Sequence, residues 1–253
     1  MDKLLEMKLD GVSFDHLASV YEEYTGKIAI ENLRPSWLIF SEGFKKSRVQ
    51  SAAKRTVDVL VATVGLVLAA PIMLIVAAAV KLTSPGPAIY SQQRVGLYGR
   101  IFTVYKFRSM RQDAEAGTGA VWASKKGDPR VTSIGLILRR SRLDELPQLW
   151  NVLKGDMSFV GPRALRPGEI EVQGDGRHVA LEDVPGFEAR TRVKPGLTGV
   201  AQIYAARDIP RRHKFRYDRV YIRAQSFWLD VRLILLSFWI TFRGAWETRG
   251  DKI

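Results

Sequence analysis

A stretch of 22 residues, 59–80, carries no charged side chain, and it constrains this 253-residue chain more than any other feature. A helix needs about 20 apolar residues to cross a bilayer, so the run is long enough. The alternative is a buried helix of a water-soluble core. Pro71 stands near the middle of the run. Proline removes one helical hydrogen bond and crowds the preceding turn, at about 3 kcal/mol, and in lipid the freed carbonyl needs another partner. Both flanks are basic: Lys45, Lys46, Arg48, Lys54 and Arg55 precede the run, and Lys81, Arg94, Arg100, Lys106 and Arg108 follow it. Positive charge holds a segment's ends on the cytoplasmic side. Together these features predict a segment that enters the membrane, bends at Pro71 and returns. A kinked helix that crosses is the alternative.

Charge narrows the partners. Lys and Arg number 39 against 26 Asp and Glu, a formal net charge of +13. Such a surplus points to nucleic acid, phosphorylated substrates or an anionic membrane face. The absence of Cys excludes disulfides, thiolate catalysis and zinc–thiolate sites. His16, His178 and His213 are too scattered for a metal-ligand pattern. The first residues lack a long apolar stretch, so no signal peptide is read.

The remaining sequence divides by character. Residues 1–50 are mixed and read as an N-terminal arm or linker. Residues 51–82 hold the membrane segment. Residues 83–253 read as an α/β catalytic domain with a basic, then amphipathic, tail, and residues 101–105 as one of its short strands. In the tail, residues 227–242 are too polar at the start to span. They fit a helix lying in the membrane interface with Trp228 and Trp239 at headgroup depth, or equally a core helix.

The densest chemistry lies in residues 133–163. Pro147 is tolerated only in a helix's first turn, which puts a helix start near Asp144 and a stop at Gly155. An acidic pair at a helix start is ordinarily a cap. Here Arg139, Arg140 and Arg142 precede Asp144-Glu145, and Arg163 follows in a Gly-Pro-Arg turn. A carboxylate among arginines suits Mg²⁺-assisted phosphoryl chemistry, because guanidinium forks match phosphate oxygens. Lys106 and Arg108 alternate with Phe107 on a predicted strand and would share one side of it. There is no GxxxxGK[ST] loop and no GxGxxG after a strand.

Long, ordered blocks now carry a resemblance: SPGPAIYSQQRVG (84–96), FTVYKFRSM (102–110), SRLDELPQLWNVLKGDMSFVGPR (141–163), VKPGLTGVAQ (193–202) and the tail from residue 217. Over about residues 50–245 the chain resembles the bacterial sugar transferase family, the monotopic polyprenyl-phosphate phosphoglycosyl transferases that begin exopolysaccharide assembly. The resemblance implies a re-entrant membrane helix-hairpin, a small α/β catalytic domain and amphipathic interfacial helices, with Mg²⁺ as cofactor at the inner-membrane cytoplasmic face. It makes Asp144-Glu145 the catalytic, metal-binding dyad, Arg139 a phosphate ligand and Pro71 the helix break. Arg163, Lys106 and Arg108 are further phosphate candidates, and Arg94, Thr198 and Gln202 candidates for the nucleotide or sugar side. The implied partners are a UDP-sugar, a polyprenyl phosphate and membrane lipids, with no nucleic acid and with a homodimer left open. Residues 1–50 resemble the segment that precedes the catalytic part of longer members. Ala164 stands where the family often has Pro, and Val200 where it often has Trp; both bear on which sugar is used.

The expected chemistry is attack by Asp144 on the sugar-bearing phosphorus, release of UMP, and transfer from an aspartyl phosphosugar to the lipid phosphate. Direct transfer with Asp144 as a metal ligand is the alternative mechanism. A nucleic-acid-binding protein and a non-catalytic membrane scaffold are the alternative functions.

Overall fold

The computed structural model describes residues 48–112, 114, 128–172, 177–205 and 209–243. The N-terminal arm read at 1–50 lies almost wholly outside the described residues. All of the elements named below belong to the unit that begins at Lys46.

Helix α1, Arg48–Thr83, contains the charge-free run and carries Pro71 inside it. The expected break therefore does not divide the element. At 36 residues it is about 54 Å long. It is long and apolar enough to cross a membrane by length and composition. Its side chains sort into two faces. Asp58, Ala62, Val76 and Val80 are buried, with Met73 and Ala77 packed beside them. Leu60, Val64, Val67, Leu68, Leu74 and Ile75 point outward, Leu68 and Leu74 being 70% and 73% exposed. An outward face this apolar calls for cover other than water.

Strands β1 (Ile89–Val95) and β2 (Ile101–Phe107) form an antiparallel hairpin, so β2 runs two residues beyond the strand read from its apolar run. Helix α2 is Ser133–Ser141, capped by Thr132, whose side chain accepts from the Gly135 N–H. A 3₁₀ turn, Leu143–Glu145, separates it from α3, Gln148–Lys154. The sequence placed one helix from Asp144 onward. Instead Arg142 adopts a left-handed conformation (φ 61°), which breaks the chain direction and leaves the acidic pair in its own tight turn. Gly155 ends α3 at φ 100°, as read from the sequence.

Short β3 (Ser158–Val160) pairs in parallel with β6 (Gly196–Thr198), and β4 (Ile170–Val172) pairs with β5 (His178–Ala180). Helices α4 (Phe187–Thr191), α5 (Val200–Tyr204), α6 (Arg211–Ala224) and α7 (Phe227–Arg243) complete the unit. The architecture is mixed helix and sheet, as expected.

Three apolar clusters hold it. Ala62 of α1 packs with Val104, Val152 and Met157. Val76 and Val80, at the other end of α1, pack with Phe107 and Leu138. Leu165, Leu181, Val184 and Phe215 form a third. Each fully buried aliphatic or aromatic side chain contributes about 1.5–3 kcal/mol. Both ends of α1 thus rest on the same globular unit. Helix α7 serves two environments at once: Leu233 and Ile240 are fully buried, while Trp228, Leu235, Phe238 and Trp239 are exposed.

Candidate active site

The acidic pair sits in the 3₁₀ turn between α2 and α3, and its two members differ sharply. Both oxygens of Glu145 are engaged: Oε1 lies 2.8 Å from the Lys106 ammonium and Oε2 lies 2.7 Å from the Arg142 guanidinium. Burial pushes the Glu145 carboxyl upward, but Arg142, Lys106 and Arg163 outweigh it and hold it well below the usual carboxylate range. Asp144 is only 8% exposed, and no described side chain pairs with its carboxylate. Burial and the adjacent Glu145 raise it to about 6, against the pull of Lys106, Arg142 and Arg139. One carboxylate is fixed and charged; the other is available and easily protonated.

Four cations come from the end of β2, the end of α2 and the turn after β3. Lys106 comes from the end of β2, where burial lowers its ammonium and Glu145 partly restores it. Arg139 is in the last turn of α2, its Nε donating to Ser109 Oγ at 2.9 Å. Arg142 is carried in by its left-handed backbone, a conformation that costs a non-glycine residue on the order of 1 kcal/mol and is met at functional sites. Arg163 follows β3, and its field is felt by both Lys106 and Glu145. Gly161 precedes it at a close crossing: a Cβ there would stand 2.3 Å from the Lys194 carbonyl oxygen. Four cations therefore act on two adjacent carboxylates, with Glu169 also acting on Arg163.

Other sequence-predicted residues lie differently. Arg108 is buried and turns away from its neighbour Lys106, donating to the carbonyls of Ser84 and Pro85 and to Ser84 Oγ. It fastens the chain leaving α1, so the two do not share one side as the alternation suggested. Arg94 donates to the Ala164 carbonyl at 3.0 Å, beside the Gly-Pro-Arg turn; burial, Arg163 and Arg166 bring it down to about 10. Gln202 donates to the Gly161 carbonyl at 3.4 Å, bracing the same turn. Thr198 is buried against Ser237 of α7. Pro71 lies in α1.

Sequence reasoning missed Arg142 as a partner of Glu145, although a spacing of three residues places such a pair together in a turn. It also missed Ser109, and Asn151, which is fully buried and joins α3 to β2 by accepting from Tyr105 N–H at 3.1 Å and donating to the Thr103 carbonyl at 2.7 Å. A buried Asn whose two bonds reach residues nearly fifty positions away leaves no local sequence signal.

A divalent ion is implied by the resemblance. Among the described residues no three Asp, Glu or His side chains converge. Asp144, whose carboxylate pairs with no described side chain, fits Mg²⁺, which is commonly held by one or two carboxylates together with substrate phosphates. Glu145 fits less well, since each of its oxygens already faces a cation. A cleft of about 800 Å³ opens where α1 ends, lined by residues that include Ser84, Arg111 and Thr132. Neither member of the dyad lines it, so the chemistry is assigned from the charged cluster rather than from cavity size.

The profile of the bacterial sugar transferase family matches residues 49–244. The chain is 40% identical over 222 residues to the UDP-N-acetylgalactosamine-undecaprenyl-phosphate N-acetylgalactosaminephosphotransferase of Aeromonas hydrophila, covering 87% of this chain and 50% of that protein. It is 39% identical over 220 residues to the UDP-glucose:undecaprenyl-phosphate glucose-1-phosphate transferase of Xanthomonas campestris pv. campestris, covering 85% and 43%. It is 41% identical over 186 residues to the exopolysaccharide production protein PSS of Rhizobium leguminosarum bv. phaseoli, covering 72% and 90%. The chain spans half or less of the length of the first two. With the match extending from the start of α1 to the end of α7, the chain belongs to the bacterial sugar transferase family.

Proposed function

We propose that this chain transfers a sugar-1-phosphate from a UDP-sugar to polyprenyl (undecaprenyl) phosphate, releasing UMP, and so begins exopolysaccharide or glycoconjugate synthesis. The observation that carries the reading is the asymmetry of the dyad: Asp144 is nearly buried, pairs with no described side chain and feels the charges of Lys106, Arg142 and Arg139. The names of the similar proteins agree with this donor and acceptor.

In the proposed step an Asp144 oxygen attacks the sugar-bearing phosphorus. The bond from that phosphorus to the bridging oxygen breaks, and UMP leaves with the electron pair. An oxygen of the polyprenyl phosphate then attacks the same phosphorus, breaking the aspartyl bond and restoring the carboxylate. Two displacements at one carboxylate let a water-soluble donor and a lipid acceptor use the site in turn. Arg139 and Arg163 bind phosphate oxygens, and Lys106 holds Glu145 so that its charge does not drift toward the nucleophile. Asp144 and the substrate phosphates would hold Mg²⁺, which would supply neutralisation of phosphate charge. Arg94, bonded to the Ala164 carbonyl next to the Arg163 turn, is assigned to the nucleotide or sugar side.

The exposed face of α1 and the outward aromatics of α7 support contact with membrane lipids, with α1 re-entrant and α7 in the interface at the cytoplasmic face of the inner membrane. The test is to incubate the detergent-solubilised protein with undecaprenyl phosphate and a panel of UDP-sugars and to follow UMP. Release with one of them is expected. No release across the panel favours a scaffold without catalysis.

A further inference from the structure

The polar end of α1 is tied to α3 and β3, which lie next to the site in the chain. Arg55 donates from Nη1 to the Val152 carbonyl and from Nη2 to the Leu153 carbonyl, each at 2.6 Å. These are among the last carbonyls of α3, at the helix end that attracts cations, and the Val152 carbonyl also accepts from the Gly155 N–H at 3.1 Å. One turn further along α1, Asp58 is 4% exposed, and its Oδ1 accepts from Ser158 Oγ at 3.0 Å and from the Phe159 N–H at 3.1 Å. That second contact grips the first residues of β3. Helix α3 begins three residues after Glu145, and β3 runs directly into Gly161-Pro162-Arg163. Through Asn151, α3 also pins β2 at Thr103 and Tyr105, next to Lys106.

We propose that Arg55 and Asp58 of the membrane helix are positioning residues for the transfer reaction, fixing α3 against β3 so that Lys106 and Arg163 stand at the Asp144–Glu145 turn. This rests on the transferase reading above. Neither side chain touches the dyad; each acts through backbone that leads to it. The arrangement makes the membrane helix part of the catalytic frame rather than only an anchor. A misplacement of about 1 Å at a charged site costs on the order of a hundredfold in rate, and both contacts here are direct bonds to the backbone of the elements concerned.

Full-length protein in detergent is assayed for UMP release, with kcat, KM for the UDP-sugar, the acid limb of the kcat–pH profile and the thermal midpoint recorded. Arg55→Ala and Asp58→Ala are expected to lower kcat by about tenfold to a hundredfold, with a much smaller change in KM and a displaced acid limb. Asp58→Asn keeps an oxygen for Ser158 and Phe159 and is expected to recover most of the loss; Arg55→Lys reaches one carbonyl and recovers part. If the alanine variants do not fold, Arg55→Lys and Ser158→Ala take their place, with a smaller loss of kcat expected. Wild-type kcat and an unmoved acid limb in these variants overturn the proposal, whatever the thermal midpoint does. Absence of UMP release from the wild-type protein overturns the transferase reading itself.

Discussion

The Lys106 ammonium lies 2.8 Å from Glu145 Oε1 across 39 residues of sequence, while Asp144, next to Glu145 in the chain, pairs with no described side chain. Two adjacent carboxylates are thus given opposite tasks by their surroundings. Glu145 is held charged by Arg142, Lys106 and Arg163 against the cost of burial, and Asp144 is left poised by burial and by that neighbouring charge.

The first prediction separates those tasks. Asp144→Asn removes the proposed nucleophile and is expected to lower UMP release by about a thousandfold or more. It should also abolish exchange of labelled UMP into UDP-sugar in the absence of lipid. Glu145→Gln keeps the shape but loses the anchor for Lys106 and Arg142, and a drop on the order of a hundredfold is expected. Lipid-independent exchange by wild-type protein is the signature of the covalent route. Exchange that needs lipid, or a labelled adduct on the Asn variant, removes Asp144 from that role.

The pH profile follows from the raised Asp144 carboxyl. On the proposed route Asp144 must be ionised to attack, and with its carboxyl at about 6 it loses its charge on mild acidification. The kcat for UMP release should be level above about pH 7 and fall tenfold per unit below about pH 6. Stability should move the other way for this group. A carboxyl raised in the folded state is stabilising when protonated, so its contribution is fully present below its unfolded value and lost as pH rises through about 6. Glu145, held low, stabilises above its unfolded value and loses that contribution as pH falls. In Asp144→Asn, thermal stability between about pH 5 and 7 should vary less than in the wild type.

Much of the site was legible because its chemistry is local. Asp144, Glu145, Arg139 and Pro147 sit within nine residues, and Gly155 marks the end of α3 by its positive φ. The division at Arg142 was not legible, since a left-handed arginine has no composition cue. Arg108 was read by alternation with Lys106, but the strand ends at Phe107, and beyond a strand's end the period of two no longer holds. The roles of Asn151, Arg55 and Asp58 depend on partners distant in sequence, which one sequence does not disclose.

Dependence on a divalent ion is the third prediction. A pyrophosphate approaching Asp144 meets an anion, and the surrounding cations are partly committed to Glu145. UMP release should need Mg²⁺ or Mn²⁺ and cease in excess EDTA. Because Asp144 is the unengaged carboxylate, Mn²⁺ bound with UDP-sugar should give a paramagnetic signal that Asp144→Asn weakens more than Glu145→Gln does. Undiminished turnover in chelator would refute the metal assignment.

The membrane topology of α1 can be decided by labelling. The N-terminal end of the helix is fixed to the globular unit by Arg55, Asp58 and Ala62, and its far end by Val76 and Val80 against Phe107 and Leu138. A helix whose two ends rest on one globular unit is expected to leave both ends on one side of the bilayer, and the basic flanks favour the cytoplasmic side. Between them, Leu68, Leu74 and Ile75 face outward. Pro71 lies between Leu68 and Leu74 and lacks the N–H that the Val67 carbonyl would otherwise receive. The chain has no native Cys, so single cysteines introduced at positions 50 and 90 report without background. Both should react with a membrane-impermeant maleimide in inside-out vesicles and neither in intact spheroplasts. Pro71→Leu restores the missing donor and should let part of the population cross, splitting the label at position 90 between the two preparations. Labelling of positions 50 and 90 from opposite sides in the otherwise wild-type protein would mean that α1 spans the bilayer and that its packing on the globular unit is not kept in the membrane.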